Sequence, residues 1–132
     1  MTAYLLIALG SAIGGVGRYW CSGWVAERVG EVFPWGTLAV NVVGSLLIGF
    51  LAGFGSPDGA WVLSSQVRQF LMIGMLGGFT TFSSFSLQTL NLLHDGEWLY
   101  AGANIAVSLI SCLLAVWGGF AVAAGLSQLR GS

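Results

Sequence analysis

Apolar residues along the chain gather into four long runs: Ala3 to Ala26, Trp35 to Phe54, Phe70 to Leu93 and Trp98 to Ala124. Each is long enough to cross a hydrocarbon core about 30 Å thick as a helix rising about 1.5 Å per residue. The polar connections carry nearly all the charge and both prolines. The first is Glu27 to Pro34. The second opens as Gly55-Ser56-Pro57-Asp58-Gly59 and is expected to continue along the interface from Trp61 to Arg68. The third, His94-Asp95-Gly96-Glu97, is a tight turn. Trp24, Trp35, Trp61, Trp98 and Tyr100 fall at the run ends, where a membrane protein places its aromatic belt. The pattern predicts an all-α membrane protein with four transmembrane helices, forming one domain over residues 1–132. The first run opens Met1-Thr2-Ala3-Tyr4 without a basic flank, so it is expected to persist as a helix rather than be cleaved.

The third run departs from the others. Its middle reads Gly77-Gly78-Phe79-Thr80-Thr81-Phe82-Ser83-Ser84-Phe85-Ser86. Adjacent glycines loosen a helix, and hydroxyl side chains compete for its backbone hydrogen bonds. Irregular backbone survives at membrane depth only where protein or a wet path covers it. This segment therefore reads as the working part of a small channel or transporter.

Composition narrows the class. Of 132 residues, 56% are hydrophobic and 7% charged, against roughly 25% charged in a soluble domain. So few charges could not cover a water-facing surface, and the lipid bilayer is the expected surrounding. With net charge −1, four arginines and no lysine, no basic footprint for nucleic acid exists. Cys21 and Cys112 lie in apolar runs at no metal-ligand spacing and read as small buried hydrophobes.

Four spans put both termini on one side, with Arg68 and Arg130. Arg28 lies on the other side, and Arg18 lies deeper in the first run. Two readings of this weak bias stand open. Four charges are too few to count, or copies insert both ways and pair antiparallel. The 21 glycines include the small-xxx-small pairs Gly10/Gly14, Ser11/Gly15 and Gly49/Gly53. Together these favour close helix contact in a homodimer.

No catalytic set is visible, so the chain is not read as an enzyme. His94 is read as a solvated turn residue. Every carboxylate sits in a connection, which leaves no proton relay within the membrane. The groups inside are neutral donors. Asn41 offers an amide NH2 either to another helix or to a ligand. Asn104 and Ser108 share a face of the fourth run, with Ser111 beyond them; they line a wet path or bond locally to backbone. Phe82 and Phe85 also share a face. Two such rings in a membrane helix ordinarily pack against lipid or core. Their edges also attract an anion without a full charge, and the interleaved Thr80, Thr81, Ser83, Ser84 and Ser86 favour reading them as borders of a polar path. Arg18 either sets a positive potential in a vestibule or binds backbone carbonyls.

Taken together, these residues resemble the CrcB/Fluc family of fluoride channels. The likeness rests on Gly14-Gly15-Val16-Gly17-Arg18, on Pro34-Trp35-Gly36-Thr37-Leu38-Ala39-Val40-Asn41, on the Gly77–Ser86 motif, and on Asn104 through Ser108 with the pattern at 113–118. The resemblance implies an antiparallel dual-topology homodimer in the bacterial inner membrane, with two fluoride pores and a third helix broken at mid-membrane. It implies a structural sodium ion held by the backbone carbonyls of Gly77 and Thr80. It implies that Phe82 and Phe85 line the fluoride path and that Asn41 contacts the ion. It places Ser108 near the pore and Arg18 near its vestibule. The family often has tyrosine where Asn104 stands, so the role of Asn104 stays open. The implied function is passive escape of cytoplasmic fluoride. A small dual-topology multidrug exporter would need a membrane carboxylate, and a non-transporting subunit would show no ion flux.

Overall fold

The computed structural model describes residues 1–55 and 63–131. The Pro57-Asp58-Gly59 turn, Trp61 and Ser132 lie outside the described residues. Helix α1 (Thr2–Val29) ends at Gly30, whose φ of 92° suits a residue without Cβ. In its last turn the Arg28 guanidinium lies 4.0 Å from the centre of the Trp24 ring. Pro34 precedes α2 (Trp35–Gly55), and its carbonyl accepts from the Leu38 N–H at 3.1 Å.

The third run begins earlier than its apolar pattern indicates. Ser64 caps α3 (Ser65–Arg68) by accepting the Val67 N–H. The segment just before Phe70 is thus a first helical turn, continuous with the third run. A π-helical stretch, Gln69–Leu76, follows, then a single turn α4 (Gly77–Phe79). After two extended residues comes α5 (Phe82–His94), so His94 closes a helix instead of opening a turn. Gly96, with φ 77°, makes the turn into α6 (Trp98–Gly131).

By length and composition, residues 35–54, 65–94 and 98–129 are each able to cross a membrane. Helix α1 is as long, at 28 residues, but its glycines, serines and Arg18 dilute its apolar character. Two glycine seams hold the helices together. Gly49 and Gly53 of α2 press on Val116, Phe120 and Ala123 of α6. Gly10 and Gly14 of α1 press on Phe70, Gly74 and Met75, and Gly78 meets Ser11. A Cβ at Gly78 would sit 2.7 Å from the Ser11 carbonyl oxygen. This corrects the reading of the small-residue pairs as the seam of a homodimer. Gly10/Gly14 and Gly49/Gly53 are used up in packing within one chain. The outer faces of α1 and α6 expose leucine, isoleucine and valine, as lipid-facing helices do.

Candidate functional site

The site is built by the interruption between α4 and α5. Thr80 (φ −87°, ψ 155°) and Thr81 (φ −151°, ψ 115°) are extended. Two extended residues break the hydrogen-bond ladder, and each displaced group needs another partner. The Thr81 N–H would reach the Gly77 carbonyl in a continuous helix. It donates instead to Asn41 Oδ1 at 2.7 Å. Asn41 Nδ2 donates to the Thr81 carbonyl at 3.1 Å, so α2 grips the break from both sides. The Ser84 N–H would reach the Thr80 carbonyl. It donates instead to Thr81 Oγ1 at 3.2 Å, which makes Thr81 the N-cap of α5.

The carbonyls of Gly77 and Thr80 therefore lose their helical donors to side chains. The Gly78 carbonyl, between them, accepts from Arg18 Nε at 3.1 Å. Carbonyl binding, one of the two roles open to Arg18, is present in the structure. Thr80 folds back, with both its N–H and its Oγ1 donating to the Leu76 carbonyl at 3.0 Å. Gly44 on α2 makes room here, since a Cβ there would overlap Thr80 Cγ2. Among the described residues no group of His, Cys, Asp or Glu side chains could hold a metal. The donors on offer at the break are hard, neutral oxygens, which fit an alkali cation better than a soft metal.

Beside the break, α2, α5 and α6 enclose a cavity of about 290 Å³. Asn41, Phe82, Phe85 and Ser108 line it, with Gly77 and Thr80. The Phe82 and Phe85 ring centres are 5.3 Å apart, their planes inclined by 48°. Phe82 is 72% exposed, so this wall is open in a single chain. No charged side chain lines the cavity. The carboxylates of Glu27, Glu31 and Asp95 line a wider cleft, about 860 Å³, at the ends of α1 and α5.

Not every expected pathway residue reaches the cavity. Ser83 and Ser84 engage the Thr81 hydroxyl at 3.2 Å each and brace the cap. Arg18 stays at the carbonyl beside it. The lining residues not expected from sequence include Ser45 and Cys112. Each lies four residues after a recognised one, Asn41 and Ser108, and so shares its helix face. Cys112, read as a buried hydrophobe, is half-buried and faces the cavity. Asn104 is 1% exposed and bonds to side chains, donating to Thr89 Oγ1 and accepting from Ser108 Oγ.

This arrangement defines a class: a multi-pass, all-helical membrane protein with an interrupted helix and a neutral, donor-bearing cavity at the interruption. The family model described as "CrcB-like protein, Camphor Resistance (CrcB)" matches residues 5–120, and the chain belongs to that family. It is 59% identical over 132 residues, the whole of both chains, to the fluoride-specific ion channel FluC of Opitutus terrae. It is 54% identical over 129 residues to the protein of that name from Methylocella silvestris, covering 98% of each chain. With the one from Paramagnetospirillum magneticum it shares 55% over 123 residues, 93% of this chain and 96% of the other. These relatives are channels, and the chain groups with them rather than with any enzyme.

Proposed function

We propose that the chain is a fluoride channel that lets cytoplasmic fluoride leave passively, working as an antiparallel pair of copies in the bacterial inner membrane. One observation carries this reading. Asn41, Phe82, Phe85 and Ser108 converge on a single cavity with no charged side chain in its lining. A small, strongly hydrated anion needs donors to replace its water. It also needs them weak enough that it leaves as readily as it enters. An amide N–H and the positive edges of two aromatic rings meet both needs, with the Ser108 hydroxyl beside them. An amide NH2 carries two hydrogens, and the bond to Thr81 uses one. Passive flow fits a cavity without a carboxylate to carry a coupled proton. The relatives' names supply the identity of the anion.

In this reading α1 also spans the membrane, held against the third run by the Gly10, Gly14 and Gly78 seam. The weak arginine bias supports insertion in both orientations. The open wall at Phe82 is where a second copy would close the path. The carbonyls of Gly77 and Thr80 are the residues that would hold a structural sodium ion. Two oxygens cannot surround a cation, and a two-fold related copy would present the same two again. A sodium ion bound there supplies a fixed positive charge beside the path.

The reading is tested in cells that lack their own fluoride exporter. Expression of the chain should restore growth in fluoride medium. No rescue, with the protein shown to be in the membrane, would contradict it.

A further inference from the structure

A buried polar chain links α6 to α5, and all its donors point one way. Ser108 Oγ donates to Asn104 Oδ1 at 3.2 Å. Asn104 Nδ2 donates to Thr89 Oγ1 at 2.9 Å. Thr89 Oγ1 donates to the Phe85 carbonyl at 2.8 Å. Both ends of the chain reach the cavity, because Ser108 and Phe85 line it. Asn104 itself is sealed off, at 1% exposure, so its amide has no water to fall back on.

In this direction the Ser108 proton is spent on Asn104. Ser108 turns lone pairs, not a proton, toward the cavity, and an anion gains nothing from lone pairs. A carboxamide has nearly the same shape after a half-turn, which exchanges its donor and acceptor. Asn104 Nδ2 then donates to Ser108 Oγ, and Asn104 Oδ1 accepts from the Thr89 hydroxyl. The Ser108 proton is released to point into the cavity. No proton leaves the chain; each hydrogen changes its acceptor. The Phe85 carbonyl gives up the Thr89 hydroxyl but keeps the helical N–H four residues on.

We propose that Asn104 is a positioning residue for the permeating anion, whose carboxamide reversal turns Ser108 into a hydrogen-bond donor on the path. This rests on the reading of the cavity as an anion path. Without the carboxamide, the Ser108 hydroxyl falls back on the backbone carbonyl four residues before it, and its proton points along the helix.

The two ends of the Asn104–Thr89 hydrogen bond then have opposite effects. Asn104→Leu removes the group that turns Ser108 and should slow fluoride flux to the level of Ser108→Ala. Thr89→Val removes two hydrogen bonds from the resting arrangement but one from the reversed arrangement. It favours reversal by one hydrogen bond, and flux should rise roughly threefold. A mere brace between α5 and α6 predicts a fall in both variants. The experiment is fluoride efflux from liposomes holding wild type, Asn104→Leu, Ser108→Ala or Thr89→Val, with the thermal midpoint of each. Both changes at the Asn104–Thr89 bond should lower the midpoint, while flux moves in opposite directions. A Thr89→Val rate at or below wild type overturns the proposal, as does wild-type flux in Asn104→Leu. If Asn104→Leu does not fold, Thr89→Val alone decides. A wild type that conducts no fluoride overturns the pathway reading itself, and the inference falls with it.

Discussion

Asn41 and Thr81, 40 residues apart, hold each other through both halves of the Asn41 amide, at 2.7 and 3.1 Å. One residue of α2 thus takes the N–H that Thr81 loses from the helical ladder and adds a bond to its carbonyl, which also starts α5. The same amide lines the cavity. The break and the path are therefore joined at one side chain, and damage to Asn41 should register at both.

Asn41→Leu removes two hydrogen bonds, each contributing about 0.5–1.5 kcal/mol, and should destabilise the protein by about 1–3 kcal/mol. The freed Thr81 N–H can return to the Gly77 carbonyl and close the break. In wild type, Na⁺ should raise the thermal midpoint relative to a large organic cation at equal ionic strength, since a ligand held only by the assembled state stabilises it. In Asn41→Leu that sodium effect should vanish. Thermal unfolding in the two salts checks both expectations. A full sodium effect in the variant would separate Asn41 from the carbonyl pair.

Phe82→Ile and Phe85→Ile keep bulk and apolarity but remove the ring edge. Each should slow fluoride flux at least tenfold, equivalent to about 1.4 kcal/mol at the barrier. Size-exclusion chromatography should show an unchanged assembly. Flux at the wild-type rate in both would reduce the rings to packing.

Gly77 and Gly78 should behave differently although they are neighbours. Gly77 has ordinary helical angles, φ −62° and ψ −38°. A Cβ there would meet only the Met72 carbonyl, at 3.8 Å. Glycine is thus not required at 77 by the backbone of one chain. At Gly78 the Ser11 backbone blocks a Cβ, so Gly78→Ala should cost about 1–3 kcal/mol through forced separation of α1. Gly77→Val should leave the single chain folded but prevent pairing and flux, because its side chain points to the open side where a second copy would sit. Normal pairing by Gly77→Val would remove the break from the pairing axis.

Reporter fusions at the C-terminus should be active on both sides of the membrane. Two or three lysines added after Leu129 should force one orientation and abolish function, and a copy biased the other way should restore it. One-sided reporters in the unmodified chain would contradict antiparallel pairing.

Much of this architecture was legible before the structure. Apolar runs mark helices because backbone groups in lipid must bond within their own segment. The hydroxyl-rich motif announced the interruption, since such side chains offer the backbone alternative partners. The start of α3 was not legible, because Ser65, Gln66 and Arg68 are polar and only the Ser64 cap declares it. The partner of Asn41 was hidden for another reason. Its bonds go to the backbone of Thr81, and a backbone group carries no sequence signature. The glycine seams were visible as patterns, but spacing cannot say whether the neighbouring helix belongs to the same chain. Asn104 stayed open in sequence because a buried amide is defined by its partners, Thr89 and Ser108, which lie on two helices.

The most direct test is ion efflux from liposomes containing only the purified protein, loaded with fluoride or with chloride. With valinomycin to balance charge, fluoride should leave quickly by way of the protein while chloride stays inside. Imposed proton gradients should not be needed to drive it. Fluoride retained as in protein-free liposomes, or chloride released equally fast, would contradict the account.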